Sequence, residues 1–175
     1  MTLHESADGT VTLVMRGLFH ELANVATAAD GVQTALRHEG GAALERSAAE
    51  LSTITDRLFA LHADLRSLLP DHEGPAPLDA RAIGADVARL LSWHVERPLT
   101  VTIDDGSVPP ILVEPWRARR QLLEACDSAA GEATAFRFGF FADGDSITAI
   151  SSDGRRFWSA PTLAAARRRE RDAAG

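Results

Sequence analysis

From Val11 the apolar residues fall at Val11, Met15, Leu18, Leu22, Val25, Ala29, Val32 and Leu36, in unbroken steps of three and four that place them on one stripe of a helix. The regularity is that of a coiled-coil seam. His38, Glu39, Gly40 and Gly41 follow, and the two glycines supply a stop and a turn. A second stripe, Leu51, Ile54, Leu58, Leu61, Leu65 and Leu68, repeats the spacing and ends at Pro70 and the polar stretch from Asp71 to Pro77. Residues 1–70 are therefore expected to form a helical hairpin. Each helix would be roughly 40 Å long at 1.5 Å per residue, and a lone pair of such helices cannot enclose its own stripes on all sides. Two hairpins pairing as a dimeric four-helix bundle would solve this; the alternative is that the stripe packs on the chain's own C-terminal half.

The pattern changes character after Pro77. Asp79 to Trp93 reads as a helix, Leu99 to Ile103 and Ile111 to Val113 as short strands, and Glu114-Pro115 as the start of a helix running to about Ala130, with proline at the tolerated first-turn position. Phe136, Phe138 and Phe140 alternate with Arg137 and Gly139, Asp143-Gly144 makes a turn, and Ile147 to Ile150 returns as the partner strand. A last helix, Thr162 to Asp172, carries Arg167, Arg168, Arg169 and Arg171. Residues 77–175 thus read as a mixed α/β layer domain, and the chain as a whole as α+β.

Composition narrows the chemistry. The 175 residues carry a net charge of −7, with 45% hydrophobic and 25% charged content, the profile of one or two folded domains. All 18 basic residues are arginine. The absence of lysine excludes a P-loop lysine, a Schiff-base lysine and the lysine of a eukaryotic-type protein kinase. The single Cys126 has no partner for an internal disulfide or a structural zinc site, and it is expected to be buried and inert. No secretory signal pattern opens the chain and no apolar run approaches the ~20 residues of a membrane span, so a cytoplasmic protein with no membrane contact is expected. The acidic balance argues against a nucleic-acid surface.

His20 lies two positions beyond the seam residue Leu18, on the face turned away from the stripe. Asn24 sits one turn later on the same side, Arg16 one turn earlier, and Glu21 is adjacent. A solvent-facing imidazole is largely neutral at pH 7, and a neutral ring nitrogen is what attacks phosphorus. A nearby carboxylate can orient the ring or accept its proton, an amide can bond a phosphoryl oxygen or a water, and a guanidinium can neutralise the phosphoryl group. Glu21, Asn24 and Arg16 suit those roles in turn. His4, His38, His62, His72 and His94 show no metal spacing and are expected at the surface or in loops; Trp93, Trp116 and Trp158 are expected to pack in the α/β layer.

The stretch GLFHELANVATA, Gly17 to Ala28, resembles the H-box of bacterial two-component histidine kinases, in which a hairpin dimer presents a phospho-accepting histidine followed by an acid. PLDARAIGADVARLL, Pro77 to Leu91, resembles the linker and first helix of the kinase ATP-binding domain; Leu99 to Ala130 is similar to its two strands and N-box helix. ITAISSDG, Ile147 to Gly154, looks like the strand entering the G1 box, and Leu163 to Gly175 resembles the helix after the G2 box. The departures are specific. Glu124 and Ser128 stand where the family has two asparagines, the second of which helps hold magnesium, and Ser-Ser-Asp-Gly-Arg-Arg around Asp153 and Gly154 does not complete the Asp-x-Gly-x-Gly of the G1 box. Between Phe157 and Leu163 there is no room for an ATP lid and no glycine run to close on phosphates.

The resemblance therefore implies a hairpin followed by a degenerate ATPase-like α/β sandwich that binds no nucleotide: a histidine phosphotransferase of kinase-like fold. His20 would relay a phosphoryl group between the aspartates of response-regulator receiver domains in a two-component phosphorelay, possible partners including a hybrid sensor kinase, with magnesium brought by the receiver and no cofactor or metal of its own. Two other readings remain open. One is a non-catalytic pseudokinase scaffold that binds a response regulator or sensor kinase; the other is a response-regulator phosphatase working through Glu21 and Asn24.

Overall fold

A computed structural model describes residues 4–38, 42–70, 74–94 and 96–174, with side chains given for 9–36, 47–70, 74–94 and 96–173. The expected turn at Glu39, Gly40 and Gly41 and the first part of the stretch after Pro70, His72 included, lie outside the described residues. The chain is α+β with five helices and two sheets among the described residues. Helix α1 spans His4–His38 and α2 Ala42–Ser67; they pack along one another as a hairpin. Strand β1 (Ala76–Leu78) pairs antiparallel with β3 (Ile111–Val113). Helix α3 (Ala80–Leu91) leads to β2 (Thr100–Ile103), and α4 (Pro115–Ala130) leads to β4 (Ala135–Asp143), β5 (Ser146–Ser151), β6 (Arg156–Pro161) and α5 (Leu163–Ala174). The main sheet has the order β2-β4-β5-β6, parallel between β2 and β4 and antiparallel elsewhere.

Local chemistry accounts for the boundaries. The Asp79 carboxylate caps α3 by accepting the backbone N–H of Arg81 at 2.9 Å. Pro115 occupies the first turn of α4, and Gly131, at φ +57°, ends it where a side chain would be strained. Gly144 at φ +60° closes the β4–β5 hairpin. Two strands escape the sequence pattern. β1 is three residues long and contains Pro77, and β6 mixes Arg156, Ser159 and Pro161 with its apolar residues, so neither shows a clean alternation.

Helices α3 and α4 lie between the sheet and the hairpin. Ile83, Val87, Leu90, Leu122, Leu123 and Cys126 are buried there, facing a sheet core built on Phe138, Phe140, Ile147 and Trp158. Edge-to-face contacts join Phe138 to Phe140 and Phe157, at ring separations of 5.3 Å for both pairs. Trp158 is buried as expected, while Trp93 and Trp116 are half-buried. Burial pushes the Cys126 thiol far above the ordinary cysteine range, with the Asp127 charge adding to the effect.

The hairpin's root shares this core. Val14 and Leu18 of α1 and Leu61 and Leu68 of α2 belong to the same buried cluster as α3 and α4. Two polar ties accompany it. The Asp64 carboxylate, buried on α2, accepts from Arg89 Nε at 2.7 Å and Trp93 Nε1 at 3.2 Å. On α1, Thr10 Oγ1 donates to Asp127 of α4 at 2.9 Å, and Arg97 pairs with the same carboxylate. His94, expected at the surface or in a loop, lies in the loop after α3 but is buried, 4% exposed, its Nδ1 accepting the backbone N–H of Arg97 at 3.1 Å. The imidazole fills the joint between α3 and β2, which is the reason for its burial.

The expected seam on α1 is offset. Leu18, Val25 and Val32 are buried, but Val11, Met15, Leu22 and Ala29 are only half-covered, Leu36 is exposed, and Thr10, Val14, Gly17 and Glu21 are buried instead. The helix rotates toward α4 as well as α2, so its covered face is centred between two three-four rows rather than on one. Along α2 the stripe splits: Leu61 and Leu68 are buried and Ile54 half-covered, whereas Leu51 and Leu58 are exposed.

Replacing Asp64 with alanine strands the Trp93 indole N–H and leaves Arg89 only its pair with Asp86; urea unfolding should show a loss of ~1–3 kcal/mol. Arg168→Ala, which removes the exposed pair with Asp145, should cost less than about 1 kcal/mol in the same experiment. Because the thiolate is the reactive form, Cys126 should resist alkylation at neutral pH in the native protein and label promptly in urea.

Candidate functional site

Helix geometry decides which side chains near His20 can meet. At about 100° per residue, Glu21 points roughly a quarter-turn away from His20, and Asn24 projects between the two directions. The structure follows this arithmetic. His20 and Asn24 are exposed, Glu21 is buried at 8% exposure in the α1–α2 interface, and the Asn24 carboxamide nitrogen touches both neighbours. It donates to Glu21 Oε2 at 3.2 Å and lies 3.4 Å from His20 Nδ1.

A carboxylate in such a place needs a counter-charge, since removing it from water unpaired costs several kcal/mol. Arg57, reaching across from α2, supplies it by an ion pair to Glu21. The guanidinium is 57% exposed, so water still reaches the pair from outside. The result is a continuous polar chain, Arg57 to Glu21 to Asn24 to His20, which crosses the helix interface and ends at an imidazole in solvent.

Three of the four sequence-selected residues are therefore brought together. Glu21 does not orient the His20 ring directly: it accepts from Asn24 and pairs with Arg57, and Asn24 is the group on the ring. Arg16 is exposed one turn before His20, and no hydrogen bond or ion pair joins it to the other three among the described residues. Arg57 was not selectable from the local motif, because it lies on the other helix, beside the apolar stripe and not on it.

Beside this chain a cleft of about 300 Å³ opens between the helices, lined by Asn24, Val25, Val32, Glu50, Ile54 and Arg57. Exposed apolar side chains flank the site: Phe19 is 54% and Phe59 70% exposed. Among the described residues no group of three or more His, Cys, Asp or Glu is placed to hold a metal ion, and no helix is long and apolar enough to cross a membrane.

The acid that the G1-box likeness singled out has a local task. Asp153 accepts from the Ser151 hydroxyl and from the backbone N–H of Arg155 at 3.3 Å, bonds that hold its carboxyl below the usual carboxylate range. With Gly154 at φ +84°, it closes the tight β5–β6 turn, and the stretch that follows is strand β6.

No family model matches the chain, and no curated protein matches it. Among solved structures the chain is similar to the Acinetobacter baumannii histidine kinase AdeS, at 16% identity over 75% of this chain and 71% of that one, with a TM-score of 0.36.

Proposed function

We propose that the protein is a histidine phosphotransfer protein of two-component signalling, with His20 the phosphoryl acceptor. The observation that carries this reading is the exposed His20 imidazole held by Asn24 at the end of a polar chain rooted in the helix interface. In the transfer, a ring nitrogen lone pair attacks the phosphorus of a receiver's aspartyl phosphate. The P–N bond forms as the P–O bond to the aspartate breaks, the carboxylate leaves, and the cationic ring releases the proton from its other nitrogen. The reverse sequence, with a second receiver's carboxylate attacking phosphohistidine, passes the group on. Arg16, exposed one turn away, is within a helix turn of the incoming phosphoryl group and suits its charge.

The α/β portion supports a chain that receives its phosphoryl group from another protein rather than from ATP. Asp153 is committed to its own turn, β6 runs where a nucleotide lid would be needed, and Glu124 and Ser128 stand in place of the two N-box asparagines. The outward half of the α2 stripe supports a dimer. Leu51 and Leu58 recur seven residues apart, with Phe59 beside them, the arrangement that a second hairpin would cover in a four-helix bundle.

Incubation with ³²P-labelled receiver domains should place acid-labile, base-stable label on the protein and none on His20→Ala; equal labelling of the variant overturns the reading, and binding without label favours a scaffold. In sedimentation, the protein should have the mass of two chains and Leu58→Asp that of one.

A further inference from the structure

We infer that Arg57 is a positioning residue that sets the tautomer of His20. The inference rests on reading His20 as the phosphoryl acceptor, and it concerns the isolated protein before any phosphodonor arrives.

The argument follows the donors and acceptors along the chain. A guanidinium only donates, so Arg57 holds the Glu21 carboxylate in place as an acceptor. A carboxamide has one donating and one accepting end. Facing a carboxylate, Asn24 must present its NH₂ group, because the opposite orientation sets the amide oxygen against the Glu21 Oε2 oxygen. That NH₂ carries a second hydrogen, and its nitrogen lies 3.4 Å from His20 Nδ1. Nδ1 therefore meets a donor and offers its lone pair, and the neutral ring carries its proton on Nε2. The ion pair on α2 thus fixes a proton position on α1 two side chains away.

The consequence concerns which nitrogen can react. In the resting ring, the Nδ1 lone pair is engaged by Asn24 and Nε2 is protonated. Attack through Nε2 requires its proton to leave and Nδ1 to take one up, which breaks the bond to Asn24. The site at rest is held one proton shift away from the attacking form.

Long-range ¹H–¹⁵N correlation at alkaline pH, where imidazoles are neutral, reads this directly. Free imidazole already favours the Nε2–H form, so the exposed His62 on α2 serves as the internal reference. The two ring nitrogens of His20 should be more widely separated in shift than those of His62. Asn24→Ala should bring them to the His62 separation, Arg57→Ala should move them the same way, and Arg57→Lys, which keeps the cation, should restore the wild-type separation. A His20 separation no wider than that of His62 overturns the inference, as does one that Arg57→Ala leaves unchanged. Both altered side chains are exposed, and Asn24→Ala tests the last link even if the Arg57 variants fold poorly. The measurement uses no phosphodonor, so absence of label on His20 with the tautomer as stated removes the phosphotransfer reading, and with it the consequence for attack, while the tautomer assignment itself stands.

Discussion

Two helices laid side by side share one line of contact, and each carries an apolar stripe wider than that line can cover. The rest of the structure follows from this shortage. At its root the hairpin finds a third surface in α3 and α4, so Val14, Leu18, Leu61 and Leu68 enter a core continuous with the sheet. Farther out no third element among the described residues covers it, and Leu51, Leu58 and Phe59 face outward. The hairpin is therefore asymmetric: a buried root that sets its direction, and a free length whose apolar residues still need cover.

Glu21 stands where these two regimes meet, on the buried face of α1 between Leu18 and Val25. A leucine there would have satisfied packing alone. The carboxylate brings a desolvation cost that only a partner on α2 offsets, which ties the register of the two helices to one ion pair with Arg57. It also leaves an acceptor aimed at the surface, where Asn24 uses it. Burial and exposure are thus linked through three adjacent side chains, and the exposed His20 ring is joined through Asn24 to a carboxylate on the buried face.

Much of the fold was legible because it depends on local signals. Helix α4 runs from Pro115 to Ala130 as proline placement and apolar spacing imply, β3 spans Ile111–Val113, and the turn falls at Gly144. What could not be read depends on tertiary neighbours. The offset of the α1 seam follows from α4 competing with α2 for the same helix face; the burial of His94 follows from the Arg97 amide across a joint that has no periodicity. Within the site, His20 and Asn24 were found by their helical spacing. The partner of Glu21 was not, because the local motif holds no record of which residue of the returning helix lies opposite.

The α/β layer acts on the site through this same geometry, without touching it. Thr10 is bonded to Asp127, which also pairs with Arg97, and Arg97 Nη1 donates to the Ala133 carbonyl at 2.6 Å just ahead of β4. The first turns of α1 are in this way fastened to the end of α4 and to the start of β4, an interior strand of the sheet. His20 lies ten residues beyond Thr10, roughly 15 Å along a rigid helix, so a tilt at the Thr10–Asp127 contact is magnified at the imidazole. Asp64 fixes α2 from the other side through Arg89 and Trp93. With both helices held at their roots, the angle at which His20 faces solvent is a property of the packed α/β layer.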